Sequence, residues 1–147
     1  MDKQQKIIRK TSSAKELQVR DKLLQLFEDC PIPKNQLLAH LGLFLRRQKL
    51  SKVLFMDELY RKIVGVHGAV VEFGVLWGQN LALFESFRGI YEPYNHNRKI
   101  VGFDTFAGFP GIDAKDCKSS SASAGAYKVT EGYERYLAQV LDIHEQE

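Results

Sequence analysis

The chain is poor in the features that would place it in a membrane, in a disulfide scaffold or on a structural metal. None of its apolar runs reaches the roughly 18 residues needed to cross a bilayer, and the N-terminal Met1-Asp2-Lys3-Gln4-Gln5 has no signal-peptide core. Only two of its 147 residues are cysteine, Cys30 and Cys117. They lie far apart without a neighbouring His or Cys, which is not a zinc spacing, so both read as free thiols in a reducing compartment. The expected location is the cytoplasm. There is one tryptophan and no Gly-x-Ser-x-Gly elbow, so Ser119-Ser120-Ser121 does not read as a nucleophile site. His40, His67, His96 and His144 have no metal-ligand partner at close spacing.

What is present is a soluble-globular composition, 44% hydrophobic and 27% charged, of a length that suits one core. The charge is uneven. Residues 1–62 hold 14 Lys/Arg against 7 Asp/Glu, a surplus of +7, and residues 63–147 hold 7 against 11, a balance of −4. A basic front end suits phosphate groups or nucleic acid. The plainer reading, a solvated helix face, is favoured because no aromatics interleave with the basic residues. No nucleic-acid partner and no membrane partner is expected.

Periodicity divides the chain near residue 66. Residues 1–66 read as a helical region after a loose tail. A helix is expected from Ala14 to Asp29, capped by Ser12 or Ser13 and stopped at Pro31-Ile32-Pro33, followed by apolar stretches from Asn35 to Leu45 and from Ser51 to Val64, the latter with Ser51 as cap. From 67 to 147 the pattern is α/β. Ala69-Val70-Val71-Glu72-Phe73 and Ile100-Val101-Gly102-Phe103 read as buried parallel strands. Asn80 to Ile90 reads as the crossover helix between them, and Gly132 to Gln146 as a final helix. Lys118 to Ala126 is Ser/Ala/Gly-rich and is expected to be mobile, with a lid and functionless disorder equally open.

The chemistry-bearing stretch is Glu72-Phe73-Gly74-Val75-Leu76-Trp77-Gly78. An acid closes a strand, Gly74 permits close approach of a ligand, and Gly78 opens the next helix, where bare N–H groups are offered. Leu76 stands where a dinucleotide fingerprint has its middle glycine, which argues against a pyrophosphate on this loop and against a nicotinamide-dependent oxidoreductase. Asp104 ends the second strand, 32 residues after Glu72. A strand-end Asp is a common turn former. A carboxylate there also accepts ribose hydroxyls, and two acids ending two adjacent strands favour that role. Trp77 reads either as an adenine-stacking ring or as packing under the loop. For Tyr91, Tyr94 and Tyr127, packing is preferred to substrate contact.

These residues carry a family resemblance. Glu72-Phe73-Gly74-Val75-x-Trp77-Gly78, Arg88-Gly89-Ile90-Tyr91 and Val101-Gly102-Phe103-Asp104-Thr105-Phe106-x-Gly108-Phe109-Pro110 resemble the macrocin O-methyltransferase family over roughly residues 50–147. The resemblance implies a Rossmann-like methyltransferase fold, here incomplete, and S-adenosylmethionine as cofactor. It implies a divalent metal, usually magnesium, in the full-length family, and a sugar or nucleotide-sugar acceptor. By the same resemblance Glu72 and Gly74 face the methionine part of the cofactor, with Gly78 beside them, Asp104 holds the ribose, and Thr105 and Phe106 line the adenosine side. The family's acidic metal ligands and general base find no counterpart in Glu131, Glu134, Asp142, Glu145 or Glu147, so neither a metal ligand nor a catalytic residue is assigned. The chain is expected to be truncated and to have little or no methyltransferase activity alone. A non-catalytic nucleoside-binding module is the alternative, a homo-oligomer stays open, and a carnitine CoA-transferase label borne by some relatives has no support in these residues.

Overall fold

The computed structural model describes residues 12–109, 111 and 125–146. The chain divides into two compact units, Met1–Ser51 and Lys52–Glu147. The first is helical. Helix α1 (Ala14–Glu28) begins in a capping box: the Ser13 hydroxyl accepts from the Glu16 N–H at 3.2 Å, and the Glu16 carboxylate accepts from the Ser13 N–H at 2.9 Å. The Asn35–Leu45 stretch is a short helix, α2 (Lys34–Leu37), running into a 3₁₀ segment (Leu38–Phe44) kinked at His40. Phe44 meets Phe27 edge to face at 4.9 Å. No α1 residue is fully buried, and Val19, Leu24 and Leu26 are more than half exposed.

Helix α3 (Arg47–Ile63) passes from the first unit into the second. It starts four residues before the expected Ser51 cap. The Arg46 carbonyl accepts the first helical bonds, from Lys49 and Leu50, while the Ser51 hydroxyl donates back to the Gln48 carbonyl inside the helix. Ser51 is therefore not a cap.

In the second unit, β1 (Val70–Phe73), α4 (Gln79–Tyr91) and β2 (Ile100–Phe103) form a β-α-β unit, and α5 (Tyr133–Gln146) packs against α4. The strands pair in parallel, Val70 beside Ile100 through to Phe73 beside Phe103. Alternation along the strands sends Val70, Glu72, Ile100 and Gly102 to one face. Val75, Leu81 and Leu137 make the buried core there, with Ile100, Phe106, Tyr133 and Leu141 against it. Gly78 lets α5 close. A Cβ on it would fall 2.2 Å from Leu137 Cδ1, and its φ of +74° is a left-handed conformation that suits glycine.

The expectation that both strands are buried holds for this face only. On the other, Val71, Phe73 and Phe103 are 47%, 80% and 55% exposed, and the two Phe rings stack at 5.4 Å. The reason is that α4 and α5 pack on the same side, and no described element covers the other.

The amino ends of the strands are held by a buried ion pair. Arg98 Nε and one terminal nitrogen donate to the two Glu92 oxygens, each at 2.9 Å. Its terminal nitrogens also donate to the Gly68 and Ile63 carbonyls, and the Tyr60 hydroxyl donates to Glu92 at 2.8 Å. These bonds tie α3, the turn before β1, the end of α4 and the turn before β2 to one point. The Arg98 bonds hold the Glu92 carboxyl well below its ordinary range, at about 2. Burial, with Glu92 beside it, pushes the Tyr60 phenol up.

Candidate functional site

The carboxyl ends of β1 and β2 open onto a cavity of about 520 Å³, within the size range of ligand pockets. Its walls come from three segments: Gly74 and Leu76 after β1; Phe103, Asp104, Thr105, Gly108 and Phe109 at the end of β2 and after it; and Tyr127 before α5. The sheet register sets this. Because Phe73 lies beside Phe103, the residues after each strand leave side by side, and the Gly74 N–H donates to the Phe103 carbonyl at 2.9 Å.

Asp104 organises the floor. One carboxylate oxygen accepts from the Phe106 N–H at 2.7 Å, an Asx turn, and the other accepts from the Leu76 N–H at 2.8 Å in the β1–α4 turn. The turn-forming role is thus present, and it joins the two loops. A carboxylate has about four acceptor positions, so two remain for donors in the cavity that Asp104 lines.

Glu72 lies on the α4 face of β1, beside Gly102. One oxygen accepts from Asn80 Nδ2 at 2.5 Å, and the other is buried with no hydrogen-bond partner. Burial raises its pKa, against the Asn80 bond and Lys52, and the neighbouring Asp104 charge adds to the rise. A half-satisfied carboxylate suits a cationic or N–H-bearing partner.

Of the six residues expected from sequence, Gly74, Asp104 and Thr105 line the cavity. Gly74 has φ +84° and open space where a Cβ would stand. The Thr105 hydroxyl donates to the Gly108 carbonyl at 3.1 Å, which folds the loop after β2. Glu72, Gly78 and Phe106 are not on the wall. Gly78 is buried under Leu137, and its N–H donates to the Val75 carbonyl. Phe106 turns into the core. Trp77 packs edge to face on Tyr133 at 4.9 Å, and the Tyr133 hydroxyl donates to the Trp77 carbonyl. Tyr91 is likewise a packing residue, its hydroxyl donating to Asp57.

Three aromatic rings that the sequence did not assign to the site line the cavity: Phe103, Phe109 and Tyr127, the last two edge to face at 5.5 Å. Tyr127 has φ +64°, rare for a bulky side chain. The backbone around it is pinned to the loop after β2 by bonds from Phe109 to Ala126 and from Gly125 back to Phe109. Asn80, which holds Glu72, was also missed, although it lies eight residues after Glu72 on the first turn of the following helix. For Tyr127 the sequence favours packing over substrate contact; the structure puts it on the cavity wall.

Among the described residues, no group of three or more His, Cys, Asp or Glu is placed to hold a metal ion. No described helix is long and apolar enough to cross a membrane. Cys30 is a free thiol. Cys117, Ser119-Ser120-Ser121 and most of the Lys118–Ala126 stretch lie outside the described residues.

A parallel β-α-β unit whose strand ends bear acids around a glycine-entered cavity defines part of a Rossmann-like methyltransferase fold. Two solved structures of CalS11 are similar to it. The calicheamicin methyltransferase structure is 44% identical, covers 90% of this chain and superposes with a TM-score of 0.86. The apo structure, described as a TDP-rhamnose 3′-O-methyltransferase of calicheamicin biosynthesis, is 40% identical, covers 92% of the chain and has a TM-score of 0.74. The chain spans about half of those proteins, 52% and 50% of their lengths. No protein-family model and no curated protein sequence matches it. Over the part that it spans, the chain shares the partial methyltransferase fold of these structures.

Proposed function

We propose that this chain carries the S-adenosylmethionine-binding part of an O-methyltransferase acting on a sugar hydroxyl, with a nucleotide-sugar as acceptor. The observation that carries the reading is the position of Asp104. It bridges the turns after two neighbouring parallel strands and keeps acceptor capacity toward a cavity entered over Gly74. S-adenosylmethionine supplies, when bound, an electrophilic methyl group on a sulfonium. The residues at hand bind and orient. Asp104 accepts the ribose hydroxyls, Gly74 admits the ligand against the backbone, and the Phe103, Phe109 and Tyr127 rings flank the base. The unpaired Glu72 oxygen takes an N–H of the amino-acid end. Leu76 occupies with a side chain the place where a pyrophosphate would need bare backbone, which favours a nucleoside without phosphates. The acceptor class is drawn from the TDP-rhamnose named for CalS11.

Titration calorimetry with S-adenosylhomocysteine tests this reading. One-to-one binding, abolished in Asp104→Ala and unaffected by added NAD, is expected. Absence of binding by the wild-type chain, or undiminished binding by Asp104→Ala, would refute it. A methyl-transfer assay on a TDP-sugar then measures whether the chain turns over alone.

A further inference from the structure

The described walls of the cofactor cavity include no Lys or Arg, while the N-terminal residues carry a basic surplus. The structure gathers part of it at a second cavity, of about 440 Å³, within the first unit. Lys15, Arg20, Arg46 and Arg47 line it, and Glu16 is the one carboxylate among the described lining residues. Glu16 Oε2 is engaged in the capping box with Ser13, and the Arg20 and Arg47 charges also act on this carboxylate. Two helices, of 15 and 17 residues, present their amino ends here: α1 through Ser13, Lys15 and Glu16, and α3 through Arg46 and Arg47. Helix amino ends add positive potential to that of the side chains.

The Arg20 Nε is buried and has no hydrogen-bond partner among the described residues. A buried guanidinium N–H without an acceptor is costly, and an anionic oxygen is the acceptor that suits it best. The formal balance of the lining, four cations against one anion, calls for more than a single negative charge. Among the described lining residues Val19 is the one apolar side chain and none is aromatic, so these residues offer no platform on which a nucleobase or a single strand would stack.

We propose that this cavity is a phosphate-binding site that takes the diphosphate of a nucleoside diphosphate, with Arg20, Arg46, Arg47 and Lys15 as its ligands. The assignment rests on the acceptor half of the proposed function and is independent of the cofactor cradle. It assigns the phosphate chemistry of a nucleotide-sugar to residues of the helical unit.

Calorimetry on the full chain with inorganic pyrophosphate, thymidine diphosphate and thymidine tests it. Both phosphate compounds are expected to bind, with affinity falling as salt rises, and thymidine is not. Equal affinity for the two phosphate compounds assigns the cavity to phosphate alone, and tighter binding of the nucleotide assigns it to a nucleoside diphosphate. Arg20→Gln and Arg47→Gln should each weaken pyrophosphate on the order of tenfold, the loss of one charge-assisted hydrogen bond, with S-adenosylhomocysteine affinity unchanged. Arg47 is exposed, so its variant keeps the test open if Arg20→Gln misfolds. Wild-type pyrophosphate affinity in the variants, or no phosphate binding at all, overturns the site. So does binding of a single-stranded oligonucleotide more tightly than thymidine diphosphate with the same sensitivity to the variants, because the surface then serves nucleic acid. S-adenosylhomocysteine binding without pyrophosphate binding would sink this site alone, and the reverse would sink the cofactor reading alone.

Discussion

The two ends of the β1–β2 sheet treat buried acids in opposite ways. At the amino end, Glu92 has both oxygens engaged by Arg98, with Tyr60 and Asn95 adding one bond each, and its pKa falls to about 2. At the carboxyl end, Glu72 has one oxygen bonded to Asn80 and the other bare, and its pKa rises. The first arrangement has every group satisfied and holds four segments together. The second leaves acceptor capacity over, at a cost to the folded state. The same two strands thus carry a fully satisfied acid at one end and a half-satisfied one at the other.

The comparison can be broken most sharply at Arg98. The Arg98 and Glu92 side chains are 3% and 4% exposed, and removing one partner of a buried pair leaves an uncompensated charge. Arg98→Ala should destabilise by about 3–5 kcal/mol in chemical denaturation, while the molecules that stay folded bind S-adenosylhomocysteine normally. A loss below about 1 kcal/mol would mean that the pair is not the anchor described here.

Gly78→Ala probes a glycine that was expected at the ligand and lies in the core instead. Its Cβ would meet Leu137 Cδ1 at 2.2 Å. Overpacking should cost about 1–3 kcal/mol, and Leu137→Ala in the same chain should recover part of that penalty. A stable Gly78→Ala protein with weakened ligand binding would return Gly78 to the site.

At the cavity, Tyr127→Gly relieves the strain of a positive φ, a gain of about 1 kcal/mol, and removes a ring from the wall. The melting temperature should stay level or rise while S-adenosylhomocysteine binds on the order of tenfold more weakly. Tyr127→Phe should keep wild-type affinity. Unchanged affinity in the glycine variant would remove Tyr127 from the binding wall.

The smallest effect, and the clearest sign, is in pH. Glu92 has a depressed folded-state pKa, so its contribution is complete above the ordinary carboxylate range and disappears as pH falls toward about 2. Glu72 has a raised one, so its contribution is complete at pH values below the ordinary range and is lost as pH rises through the folded-state pKa. Glu72→Gln should therefore raise the neutral-pH melting temperature slightly and flatten stability against pH on the acid side, while weakening ligand binding. A lower melting temperature at pH 7 would contradict the assigned environment of Glu72.

Much of this architecture was legible one segment at a time. Ser12 or Ser13 before Ala14 gave the start of α1, the switch in periodicity after residue 66 gave β1, and Asp104 at the end of β2 gave the cavity floor. Ser51 misled because a serine before an apolar run resembles a cap, whereas the helix had already begun at Arg47. Phe73 and Phe103 read as buried because strand patterns do not reveal which face the following helices will cover. Gly78 and Phe106 sat in the right motif for a ligand, but Gly78 packs under Leu137 of α5 and Phe106 turns to the core of Val75, Leu81 and Leu137, all more than 20 residues away from the residue they meet. Arg98 and Glu92 looked like part of a polar connection, and only the approach of Tyr60 and of the Ile63 and Gly68 carbonyls makes them an anchor.

By itself the sequence determined the local elements: where helices start, which short runs extend, and which turns need glycine. Those follow from backbone sterics and from interactions within a few residues. Only the tertiary structure decided which carboxylate is satisfied and which is left bare, which aromatic rings face a cavity, and where the basic residues converge. Each of those depends on desolvation by groups distant along the chain, and burial, unlike helix capping, is a property of the neighbours that folding brings.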